Sequence, residues 1–187
     1  EGKDLGTFVG LQPSLNAACA QYSCAPWSED HWRHLARSMT WLAEVGNDLA
    51  ILPLVTGGEA ANEESLVPWI KKGDAYDYDW KNLDRYLDLV AKCWGRSTRL
   101  VCELGWSHSG KGWEMTYRGV TAIEGGLKVE IKLPPAGSDE WNRLFVPFAR
   151  AVAARLKAKG FERPYWGWLP DFANGAQPLA GTLLAAS

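Results

Sequence analysis

The chain has 187 residues, the length of a single domain spanning 1–187 or of a piece of a longer chain. Apolar residues make up 47% and charged residues 22%, which excludes wholesale disorder. Twenty Lys and Arg against 22 Asp and Glu give a net charge of −2, so neither a duplex nucleic-acid binder nor a polybasic membrane-surface protein is expected.

Thr7 to Leu11 (TFVGL) reads as a short strand between Gly6 and Pro13. The next stretch, AACAQYSCAPW, is loop-like, and its Cys19 and Cys24 are close enough in sequence to close a small disulfide. Ser28 has the residue type of an N-cap, with Glu29 and Asp30 behind it to complement the helix dipole. Trp32, Leu35, Ala36, Met39, Leu42 and Ala43 then recur at helical spacing, predicting a helix over 29–45 that Gly46 stops. Leu49 to Val55 is a continuous apolar run, as in a strand buried on both faces, with Pro53 near its end. It is far too short to span a bilayer.

The polar stretch TGGEAANEES leads to a hairpin over 68–78 turning at Lys72-Gly73-Asp74. Asp79 caps a second helix over 80–94, with an apolar face of Leu83, Tyr86, Leu87, Val90, Ala91 and Trp94 and a stop at Gly95. Arg99 to Leu104 is a strand, and a second hairpin over 115–133 turns at Gly125-Gly126. Ser138 caps a third helix, 139–159, in which Pro147 marks a kink or the true start. Tyr165 to Leu169 is the last strand. Cys93 at a helix end and Cys102 in a strand read as buried thiols.

Without the hairpins the order is β-α-β-α-β-α-β, which implies parallel strands with right-handed crossovers. Both long excursions, 56–78 and 105–137, follow strands, where a (β/α) barrel carries its active site. The expected fold is therefore α/β, of the TIM-like (β/α)-barrel type. A full barrel needs about 250 residues, so a partial or reduced barrel with β-hairpin insertions is expected here. No Gly-rich phosphate loop follows any strand and no Cys pair has zinc-site spacing, so no cofactor and no metal is expected. The N-terminus has no signal-peptide pattern; a mature chain trimmed of one would look the same, so a secreted or periplasmic location stays open. The oligomeric state is not legible.

Eleven Trp stand against 5 Phe and 6 Tyr. Many have polar neighbours: Trp27, Trp32, Trp69, Trp80, Trp106, Trp113 and Trp141. An indole joins a flat apolar face to an N–H donor, a combination that suits sugar rings, so a carbohydrate ligand is the expected partner.

Three segments carry a resemblance. WSEDHWRHLARSMTWLAEVGNDLAILPLV (27–55), IKKGDAYDYDWKNLDRYLDLVAKCWG (70–95) and SDEWNRLFVPFARAVAARLKAKGF (138–161) together resemble the catalytic domains of glycoside hydrolase family 123 and their uncharacterised glycoside-hydrolase-like relatives. The resemblance implies a (β/α)8-type barrel. It also implies hydrolysis of terminal N-acetylgalactosaminides, with the substrate's own acetamido oxygen as nucleophile, a chemistry outside the usual two-carboxylate separation rule. An adjacent Asp-Glu pair is part of the family pattern after the last strand read here. The corresponding segment, PYWGWLPDF, has no such pair, and Asp171 is its only carboxylate. A glycosidase with relocated catalysts and a non-catalytic sugar-binding or structural domain both fit that departure.

The candidate catalytic residues are Glu103 and Asp171, at the ends of the third and fourth strands. A Glu in an apolar strand needs a partner or a raised pKa, which suits a general acid. Asp171 would be the ionised partner. Trp106, Trp166 and Trp168 are candidate sugar platforms, and His108 in the Gly/Ser-rich GWSHSGKGW is a further substrate-binding candidate. His31 and His34 lie on one helix face without further ligands and read as structural.

Overall fold

The computed structural model describes residues 10–11, 15–57, 62–103, 119–135, 138–161 and 164–167. Among these residues, four helices and seven strands follow in the order α1 (Leu15–Tyr22), α2 (Glu29–Glu44), β1 (Leu49–Pro53), β2 (Trp69–Lys72), β3 (Ala75–Tyr78), α3 (Lys81–Cys93), β4 (Arg99–Glu103), β5 (Val120–Glu124), β6 (Leu127–Ile131), α4 (Asp139–Ala158) and β7 (Tyr165–Gly167).

Capping chemistry sets the helix starts. The Ser28 hydroxyl accepts from the His31 N–H at 3.3 Å and the Ser138 hydroxyl from the Trp141 N–H at 3.1 Å. The Asp79 carboxylate accepts from the Lys81 N–H at 3.1 Å, although Trp80 is the residue that leads into α3. Helix α4 starts at its Ser138 cap and runs through Pro147, which does not mark its beginning. Both hairpins turn on left-handed residues: Gly73 in the first, Gly125 and Gly126 in the second.

Strands β1, β4 and β7 form a three-stranded parallel sheet in the order β1-β4-β7. Residues in register across parallel strands share a face. Ala50, Leu52, Leu100 and Cys102 thus look one way, into the core that α2, α3 and α4 fill with Leu35, Met39, Leu87, Val90, Phe148 and Val152. Leu49, Ile51, Val101 and Glu103 look the other way.

The expected TIM-like (β/α) barrel, partial or reduced, is not what these residues form. There are two sheets, and no barrel closes among the described residues. The reason lies in the excursions. Instead of projecting as separate insertions, the hairpins β2-β3 and β5-β6 pair with each other through β2 and β5, which run parallel. They make a four-stranded mixed sheet in the order β3-β2-β5-β6. Three strands are too few for the tilt and stagger that closure requires.

Three further expectations need correction. Of the strand expected over 7–11, residues 7–9 lie outside the described residues. Gly10 and Leu11 make no ladder: Leu11 N–H donates to the Asn47 side-chain oxygen at 2.6 Å. The Cys-bearing stretch is not all loop: residues 17–22, with Cys19, belong to α1, while Cys24 follows the helix end; Cys93 is only half-buried. The polar-flanked tryptophans are largely core. Trp32, Trp69 and Trp141 are buried, and Trp27 and Trp80 pack partly buried against the same cluster, while Trp106 and Trp113 lie outside the described residues.

Helix α1 is pinned through His31. Its Nδ1 accepts from the Trp27 N–H at 2.8 Å, which leaves Nε2 to donate to the Leu15 carbonyl at 2.8 Å. That pattern needs the neutral ring, and burial lowers the His31 pKa from 6.5. The unfolded chain therefore takes up this proton first as pH falls, and stability drops below about pH 6.5. In urea unfolding between about pH 7.5 and about pH 5, wild type should lose more stability than His31→Gln. Equal pH slopes would disprove the assignment.

Candidate functional site

Parallel α/β sheets build their sites at the carboxyl ends of the strands. In this sheet the ends are Pro53, Glu103 and Gly167, aligned in register across β1, β4 and β7. Glu103 is the central one and is fully buried. Its carbonyl accepts from the Leu54 N–H at 3.1 Å, which fixes the turn out of β1 against the end of β4. Cys102 beside it faces the core, and burial pushes its thiol far above the usual range, which makes it inert at neutral pH.

The rim around these strand ends is wired by side chains. Thr56 is buried; its N–H donates to the Gly119 carbonyl at 2.8 Å and its hydroxyl to Glu130 Oε2 at 2.9 Å. Buried Asn62 donates through Nδ2 to the Val55 carbonyl at 2.6 Å and to the Glu64 carbonyl at 3.0 Å. Ser65 and Thr121 bond reciprocally: Ser65 N–H to Thr121 Oγ1 at 2.8 Å, Thr121 N–H to Ser65 Oγ at 3.0 Å. The chain leaving β1 is in this way stitched to β5, so the second sheet starts at the carboxyl end of the first. Sequence reasoning missed these residues. The one signal for Thr56, Asn62 and Ser65 was the polar run TGGEAANEES directly after an apolar strand.

Gly119 is the tightest joint in this rim. It bridges Thr56, and a Cβ built on it would lie 2.0 Å from the Ile131 carbonyl oxygen. Because that oxygen belongs to backbone, the strand itself must shift. Gly119→Ala is expected to cost about 1–3 kcal/mol, the range of overpacking, read as a lower urea midpoint with an unchanged slope. Wild-type stability in that variant would refute the tight packing.

The structure brings some of the sequence-predicted residues together and not others. Glu103 sits at the rim as expected. Strand β7 lies beside β4 in parallel, so the chain toward Asp171 leaves from the strand next to Glu103. Trp166 is in register with Cys102 and packs against the core, so its ring lies on the face opposite Glu103. Asp171, Trp106, His108 and Trp168 lie outside the described residues. Among the described residues no group of three or more His, Cys, Asp or Glu could hold a metal ion, and no helix is long and apolar enough to cross a membrane.

Two cavities lie away from this rim. One of about 350 Å³ is at the opposite end of the same sheet, lined by Arg96, Arg99, Phe161 and Tyr165 among others. The other, about 360 Å³, is a groove between α2 and α3, where Arg85 covers the Trp32 ring at 4.9 Å and holds Glu29 through two hydrogen bonds of 2.5 and 2.7 Å.

In fold, the chain is similar to a family 123 glycoside hydrolase from Clostridium perfringens, whose structure was studied for the details of glycolipid glycan hydrolysis. The TM-score is 0.64 at 16% identity, over 86% of this chain and 29% of that one. The chain thus spans under a third of that relative's length. No curated protein sequence matches it. The family model for the catalytic domain of glycoside hydrolase 123 matches residues 14–169. That range takes in every helix and strand from α1 to β7, and the chain belongs to the glycoside hydrolase 123 catalytic-domain family.

Proposed function

We propose that the chain is the part of a glycosidase that handles terminal N-acetylhexosaminides by a substrate-assisted mechanism. The observation that carries this reading is the position of Glu103. It is a fully buried carboxyl group at the carboxyl end of the central parallel strand, in a chain of the glycoside hydrolase 123 catalytic-domain family. In the proposed reaction Glu103, which is fully buried, protonates the leaving glycosidic oxygen. Asp171 stays ionised, holds the acetamido N–H and stabilises the oxazolinium formed when the acetamido oxygen attacks the anomeric carbon. Trp106, His108 and Trp168 bind the sugar. Trp166, on the core face, supports the strand instead.

The test is a screen of nitrophenyl glycosides with N-acetylhexosaminides first. Release of nitrophenol that depends on Glu103 and Asp171 is the expected result. A second reading is favoured by PYWGWLPDF, which holds the single carboxylate Asp171: a sugar-binding domain without turnover. Saturable binding of an N-acetylhexosamine with no nitrophenol release would replace the first reading by the second. Neither binding nor turnover would overturn both.

A further inference from the structure

Helix ends in this fold reuse one device. At the end of α2, left-handed Gly46 lets the Asn47 N–H reach the Leu42 carbonyl and its own N–H reach Ala43, both at 3.0 Å. At the end of α4, left-handed Gly160 does the same: Phe161 N–H to Leu156 at 3.0 Å, Gly160 N–H to Lys157 at 2.9 Å. This is the Schellman motif, which brings the side chain three residues inside the cap against the one two residues beyond it. In α4 those two are Leu156 and Phe161, both buried in the core.

Helix α1 ends with the longer-range of these two bonds and with different chemistry. Ser23 is left-handed at φ 50, and the Cys24 N–H reaches back to the Cys19 carbonyl at 3.2 Å. The two positions that the motif presses together are therefore both cysteines. Both are free, half-buried thiols, and the Cys24 Sγ donates to the Ala18 carbonyl, next to Cys19, at 3.9 Å. Burial first, and then the neighbouring Cys24, push the Cys19 thiol up to about 11; the Glu63 and Glu64 carboxylates add to the shift.

We propose that Cys19 and Cys24 are a thiol–disulfide site: a low-molecular-weight disulfide of the glutathione class oxidises them to an intrachain bond that staples the end of α1. The thiolate of one of the two cysteines attacks one sulfur of the small disulfide, its S–S bond breaks, and one thiolate leaves. The other cysteine gives its proton to solvent, its sulfur attacks the cysteine sulfur of the mixed disulfide, and the second small thiol leaves. Two protein thiols are oxidised and one small disulfide is reduced to two thiols, so the electrons balance without another reagent.

The staple has a place to act. An eight-residue helix is marginal alone, and α1 is held to α2 by the His31–Leu15 bond and by Tyr22 stacked on His34 at 3.8 Å. Glu63 and Glu64, close enough to shift the Cys19 thiol, belong to the segment that leaves β1 at the candidate site. The proposal stands apart from the proposed glycosidase activity and is tested without it.

The full chain is equilibrated with mixtures of glutathione and glutathione disulfide, quenched in acid, alkylated and mapped by mass spectrometry. The expected result is a peptide holding Cys19 and Cys24 that is lighter by about 2 Da and loses both alkylation sites as the mixture becomes oxidising. Alkylation of Cys93 serves as the internal reference, and dithiothreitol restores both sites. In Cys24→Ser the internal bond is absent, and Cys19 carries at most a glutathione adduct. Amide hydrogen exchange over 20–24 should slow in the oxidised chain and stay unchanged in Cys24→Ser. Glutathione adducts that persist in wild type without an internal bond, disulfides between chains, or thiols that stay alkylatable in every mixture would each overturn the proposal.

Discussion

Glu103→Gln should lower kcat on a nitrophenyl N-acetylhexosaminide by about 10²–10⁴-fold, the range for loss of a general acid. Gln keeps the size of the side chain and its place at the end of β4, where Glu103 is fully buried. What it removes is the proton the leaving oxygen needs. A leaving group that departs without protonation does not need that proton. The same variant should therefore recover most of its rate on a dinitrophenyl glycoside. Asp171→Asn should lose a comparable factor on both substrates, because its proposed partner, the acetamido group, reacts the same way whatever the leaving group. A purely structural Glu103 gives another pattern: a lower unfolding midpoint, with normal kcat per folded molecule. Turnover within a few-fold of wild type in both variants would end the catalytic assignment.

What the sequence disclosed and what it hid divide along physical lines. Local chemistry was legible. Ser28 and Ser138 carry the cap residue type and make the cap bonds, and Gly73, Gly125 and Gly126 are left-handed where the hairpins turn. The three parallel strands announce themselves as short apolar runs between helices. Non-local pairing was not legible. Nothing in WIKK or VTAIE says that the two strands pair, yet the contact of β2 with β5 turns two insertions into a second sheet and overturns the barrel. Composition misled over tryptophan. Trp69 has Ile70 and Pro68 beside it and charged residues close by, but its ring is buried at the start of β2, against α4, while Lys71 and Lys72 further along the strand stay exposed. Helix α1 was missed because Leu15 is its one buried residue and most of its anchoring comes from contacts with α2. At the candidate site, Glu103 was readable as a carboxyl group ending an apolar strand. The Thr56, Asn62, Ser65 and Thr121 rim was not, since its meaning depends on partners far along the chain: Ser65 and Thr121 are 56 positions apart.

Trp69→Ala should be the most destabilising core substitution in the second sheet. Trp69 opens β2, is in register with Tyr78 of β3 and Ala122 of β5, and is buried at 1% exposure. Its ring centre lies 5.1 Å from Phe148 and 6.5 Å from Phe145 of α4, and 5.2 Å from Tyr76. One side chain therefore joins both hairpins to the helix beneath them. Truncating a buried Trp or Phe to Ala costs about 3–5 kcal/mol, a large part of the about 5–15 kcal/mol that holds a domain together. Trp69→Phe separates ring packing from hydrogen bonding. The indole N–H of Trp69 is buried with no hydrogen-bond partner among the described residues. Phe removes that unmet donor while keeping an aromatic ring against Phe148, so part of the lost volume is offset. Urea unfolding should rank wild type and Trp69→Phe close together and Trp69→Ala far below. Near-ultraviolet circular dichroism should lose the aromatic-cluster signal in the Ala variant alone. If Trp69→Ala unfolds within about 1 kcal/mol of wild type, the second sheet is held by its ladders and not by this cluster.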